Sequence, residues 1–124
     1  MTEPAAAPGG DPLPAAFRGM GRRFPEVMKA YGQLGRATAE AGPLDARVRE
    51  LVKLGIAFGA RLEGAAHAHV RKAREAGATP DEIRHVALLC VTTIGWSASV
   101  AAMTWVDDVL SREEAPAPPG TGAP

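Results

Sequence analysis

The chain has 124 residues, and its 14 basic and 14 acidic side chains cancel. That length suits one ordinary domain. The neutral balance supplies no field to hold a polyanion, which argues against a nucleic-acid partner and against a basic membrane-surface protein. The single cysteine, Cys90, excludes an intrachain disulfide and a cysteine-rich zinc site.

No apolar run approaches the roughly 20 residues of a bilayer span. The N-terminus lacks the basic start and apolar stretch of a secretory signal. A cytoplasmic protein without membrane contact is therefore expected. Residues 1–13 are dominated by Ala, Pro and Gly, and residues 113–124 read EEAPAPPGTGAP. Neither segment holds enough apolar surface to offset the entropy of ordering, so both are expected to be disordered tails around a folded domain at 14–112.

Within that domain helical spacing recurs and strand alternation does not, so an all-α fold of about five to six helices is predicted. A short helix around Pro14 to Met20 comes first. The next starts at Phe24-Pro25, where proline suits a first helical position. It carries Val27, Tyr31 and Leu34 and ends near Gly42-Pro43. Asp45 is the expected N-cap of a helix to Ala60. Val48, Leu51, Val52, Leu54, Ile56 and Phe58 make that helix apolar on more than one stripe, as in a buried helix or one that meets a neighbouring protomer.

A further helix is expected from Glu63 to Ala76, with Gly77 as its left-handed cap. Thr79-Pro80-Asp81-Glu82 reads as a capping box with proline at the first position. Ile83, Val86, Ala87, Cys90 and Ile94 follow at helical spacing until Gly95 interrupts. The last helix, Ser97 to Arg112, places Ala98, Ala101, Ala102, Trp105 and Val109 on one stripe.

Few residues could carry chemistry. His67 and His69 stand two apart, so on a helix they point roughly 200° from one another and cannot close on one ion. Glu63 and His67 do share a face and could meet a metal across a contact between protomers; the ordinary reading is a solvated side-chain pair, and no metal site is expected. Histidine suits proton transfer near neutral pH, which makes His69 a candidate acid or base. Its ordinary alternative is a satisfied or exposed histidine. Glu50 is the second candidate, against a surface pair with Lys53 at i+3. Cys90, within Leu88-Leu89-Cys90-Val91, reads as a small buried hydrophobe. Gly95-Trp96-Ser97-Ala98-Ser99 reads as a helix break that could line a pocket. There is no phosphate loop and no nucleophile elbow.

Three stretches, RELVKLGIAFG, LEGAAHAHVRKAREAGATPDEI and LLCVTTIGWSASVAAM, resemble in order and spacing the carboxymuconolactone decarboxylase family, which includes the AhpD-like alkyl hydroperoxidases. The resemblance spans Arg47 to Leu110. The peroxidase branch of that family carries a glutamate, a Cys-x-x-Cys pair, and a histidine four residues beyond the second cysteine. Glu50 and His69 match the glutamate and the histidine, whereas Leu62 and Ala65 stand at the cysteine positions. A two-thiol peroxide reduction has no nucleophile here. The pattern is closer to the decarboxylase branch, with His69-Val70-Arg71-Lys72-Ala73 and the run Gly95 to Met103.

The resemblance implies an all-α, AhpD-like fold and assembly as a trimer or hexamer. It also implies a cofactor-free, decarboxylase-like reaction on a small carboxylic acid or lactone. His69 would then deliver the proton and Glu50 would orient or recharge it. Arg71 or Arg61 would hold a substrate carboxylate through the guanidinium fork, with Trp96 and Ser97 beside the substrate. The other reading is a non-catalytic oligomer that binds a small molecule or a partner on the same fold.

Overall fold

The computed structural model describes residues 15–114. They form six α-helices, α1 (Ala15–Arg23), α2 (Pro25–Glu40), α3 (Ala46–Gly59), α4 (Glu63–Glu75), α5 (Pro80–Leu89) and α6 (Trp96–Glu114), with a 3-10 turn over Cys90–Thr92 between the last two. No strand occurs among the described residues. The expected tails lie outside the described residues, except that α6 runs on through Glu114, where Arg74 Nε donates to Glu113 Oε1 at 3.0 Å.

The local signals act where the sequence puts them. Asp45 caps α3, its Oδ1 accepting from the Val48 N–H at 2.9 Å. Thr79 and Glu82 close a reciprocal capping box at the start of α5, which satisfies two otherwise unpaired backbone donors. Glu82 is held below its ordinary carboxylate value, first by the hydrogen bond from the Thr79 backbone and also by the charge of Arg47. Gly77 and Gly95 take left-handed φ values of 98° and 108°, where glycine carries no Cβ penalty.

Two helix ends differ from expectation. The α5 spacing does not run on to Ile94: the α-helix stops at Leu89, tightens into the 3-10 turn, and the N–H groups of Thr93, Ile94 and Gly95 converge on the Cys90 carbonyl. Ile94 is consequently exposed. Helix α6 begins at Trp96 rather than Ser97, and the Gly95 carbonyl accepts its first bond from the Ser99 N–H. The buried stripe of α6 is Ala98, Ala102, Val106, Val109 and Leu110, with Ala101 and Trp105 only partly covered.

Helices α3 to α6 enclose one core around Leu54, Phe58, Val70, Ile83, Val106 and Leu110. Much of the rest is alanine (Ala57, Ala66, Ala73, Ala87 and Ala102), which lets the helices approach closely. Helix α3 lies along α4, while α6 packs on both α4 and α5. Fully burying each of the larger aliphatic or aromatic side chains is worth about 1.5–3 kcal/mol. Ser99 is the polar residue in this interior, its Oγ donating to the Ala87 carbonyl at 2.8 Å and tying α6 to α5.

Helix α1 packs on α2, and this pair makes no extended contact with the other helices. Phe24, Val27, Tyr31 and Leu34 are exposed on it, as are Val52 and Ile56 on the outer side of α3. The apolar excess read in α3 thus divides into an inner face in the core and an outer face in solvent. Among the described residues, no helix is long and apolar enough to cross a membrane.

Candidate functional site

Helices α3 and α4 run antiparallel across the short turn at Ala60 to Leu62, so the first turns of α3 lie opposite the middle of α4. This register brings Glu50 to His69. The Glu50 Oε1 accepts from His69 Nδ1 at 2.7 Å, and both side chains are mostly covered, at 17% and 18% exposure. Glu50 therefore pairs with His69 rather than with Lys53, which is exposed. An ionised carboxylate only accepts, so opposite such a carboxylate the shared proton lies on Nδ1 and Nε2 is left open to give or take one.

Leu62 and Ala65 come shortly before His69 in the chain. Leu62 is the exposed residue that precedes α4, and Ala65 is half-buried against the core. No thiol stands at either position. Cys90 is itself buried, and that burial pushes its thiol above the ordinary range, with Arg61 only partly opposing the shift. A nucleophilic thiolate needs the opposite shift.

Arg61 occupies an unusual place. It sits in the middle of the α3–α4 turn at φ 61°, the left-handed region, as the non-glycine residue found there among the described positions. Its N–H bonds the Phe58 carbonyl and the next N–H, of Leu62, bonds that of Ala57. The same double bond closes α4, from Gly77 to Arg74 and from Ala78 to Ala73. The two helix ends share one capping motif, but α4 uses glycine where α3 uses arginine. The Arg61 guanidinium lies 5.8 Å from the centre of the Trp105 ring, within cation–π range.

The other expected substrate contacts are spread out. Arg71, two residues past His69, projects from a different side of α4. Trp96 and Ser97 open α6 and are exposed, Trp96 at 70%. An apolar cleft of about 260 Å³ opens on the outer side of α3, lined by Thr38, Leu44, Val52 and Ile56 with the cations Arg49 and Lys53. Sequence reasoning missed this cleft. Its signal was the second apolar stripe of α3, but its far wall comes from the end of α2.

Residues 25–108 match the carboxymuconolactone decarboxylase family. The chain belongs to this family. The helical fold agrees with it, and the single cysteine leaves the chain without a Cys-x-x-Cys pair. An uncharacterized protein of Haemophilus influenzae is 40% identical over 58 residues, a match that covers 47% of this chain and 51% of that protein. The chain thus matches about half the length of this relative. No solved structure matches the chain.

Proposed function

We propose that this chain is a cofactor-free, decarboxylase-like enzyme acting on a small carboxylic acid or lactone, with Glu50 and His69 as its proton-transfer pair. The observation that carries this reading is the 2.7 Å contact between two partly covered side chains from different helices. Cleavage of the bond to the departing carboxylate releases carbon dioxide and leaves the electron pair on the substrate as a dienolate. The His69 imidazolium delivers its Nε2 proton to that carbon, Glu50 stabilises the imidazolium through Nδ1, and water returns the proton to Nε2. A well-placed donor of this kind contributes about 10²–10⁴ in rate.

Arg61 is the favoured carboxylate anchor. A residue other than glycine in the left-handed region costs about 1–2 kcal/mol, and strain of this kind collects where a side chain is used. Arg71, Trp96 and Ser97 are assigned to the same substrate; Trp96 and Ser97 are exposed, and Arg71 leaves α4 on another side than His69.

The reading includes a homo-oligomer, trimer or hexamer, in the cytoplasm. The uncovered apolar surface of α2 and α3 supports the assembly. The alternative, a non-catalytic oligomer that binds a small molecule, draws on the apolar cleft with Arg49 and Lys53. Release of carbon dioxide from carboxymuconolactone, compared between the wild type and His69→Ala, separates the two. Turnover lost in the variant, with helical content unchanged, supports the enzyme. Absence of turnover in the wild type favours the binding protein.

A further inference from the structure

A second cluster lies on a different side of α4. Glu63 and His67 are one turn apart and share a face. Asp108 reaches them from α6, which packs against α4. His67 Nε2 is 3.0 Å from Asp108 Oδ2 and 4.0 Å from Glu63 Oε2. One ligand atom from each residue falls within 4.8 Å of the other two.

A single ring nitrogen thus faces two carboxylates. One Nε2 proton can serve only the nearer, and the two carboxylates repel across the gap. A divalent cation answers both. Donor atoms at about 2.0–2.2 Å from a tetrahedral zinc stand about 3.4 Å from one another, between the two measured separations. Neutral His67 would give its Nε2 lone pair to the ion in place of the contact with Asp108. Glu63 and Asp108 are half exposed, at 59% and 47%, which leaves room for water as a fourth ligand. The three residues sit on helices already packed together, so the backbone needs no rearrangement. Arg71 and Arg112 stand one turn further along α4 and α6, and each makes an interaction within the structure.

We propose that Glu63, His67 and Asp108 bind one divalent transition-metal ion of the zinc class and clamp α4 to α6. Imidazole beside carboxylates favours such ions over magnesium and calcium, which take oxygen ligands. The site stands apart from the proton-transfer pair, because His67 and His69 point roughly 200° apart on the helix, and it does not depend on the proposed reaction.

Calorimetric titration of the full chain with Zn²⁺, alongside thermal melts, tests this. The expected result is one ion per chain and a raised melting temperature in both the wild type and His69→Ala, with Mg²⁺ much weaker. His67→Ala and Asp108→Asn should each weaken zinc by at least about tenfold. Asp108→Asn, nearly isosteric, keeps the test open if His67→Ala does not fold. No zinc binding, binding unchanged in these variants, or binding lost only with His69→Ala would overturn the proposal.

Discussion

Glu50 Oε1 lies 2.7 Å from His69 Nδ1, although the two residues are 19 apart in the chain. The α3–α4 packing makes that contact and its partial covering strengthens it, since charge-assisted bonds gain where water is excluded. Lys53, the alternative neighbour in sequence, is left to the outer cleft.

Arg61 can be tested apart from the pair. Arg61→Gly relieves the left-handed strain but loses the contact with Trp105, and these effects offset. Stability measured by denaturant unfolding should change by less than about 1 kcal/mol. If Arg61 anchors the substrate carboxylate, KM for that substrate should rise while the fold is unchanged. Unaltered kinetics would remove Arg61 from the site.

Cys90 should be a poor nucleophile. Burial raises its pKa, so the thiol form persists through neutral pH. Iodoacetamide should label it slowly in the folded chain and rapidly in denaturant. Fast labelling of the folded chain would contradict this burial.

Thr79→Ala should cost about 1 kcal/mol through the lost cap. Because Glu82 is held below its ordinary value, it contributes stability above its unfolded pKa, and this is lost as pH falls through the lower folded pKa. Unfolding measured from neutral to acid pH should show a smaller acid-side loss in Glu82→Gln than in the wild type. An identical acid profile would contradict this role.

The uncovered face of α3 gives a prediction about assembly. Val52→Glu and Ile56→Glu place charge on exposed positions that the core does not use, so the helical signal should be retained. Light scattering should find a trimer or hexamer in the wild type and smaller species in the variants. A monomeric wild type would leave those apolar residues without the proposed neighbour.

What could be read from the sequence was short in range. The Asp45 cap, the Thr79–Glu82 box and the Gly77 cap depend on residues within a turn of each other, and each forms as expected. Glu50 and His69 stand out by residue chemistry and by a family pattern, while their contact depends on the register of two helices. Asp108 joined His67 for the same reason: no spacing along one helix reveals a partner on another. The end of α5 was misread because apolar spacing continues through Ile94, whereas the chain has already turned about the Cys90 carbonyl. Val106 and Leu110 escaped the predicted α6 stripe because α6 packs on two helices at once and buries a wider face than one stripe describes.

The most direct test of the Glu50–His69 pair is a double-mutant cycle on carbon dioxide release from carboxymuconolactone, using Glu50→Gln, His69→Ala and the double variant. Residues that act as one unit lose activity non-additively. The double variant should therefore be about as slow as His69→Ala alone, about 10²–10⁴ below the wild type. Independent, multiplying losses, full activity in His69→Ala, or a wild type that releases no carbon dioxide would contradict the account.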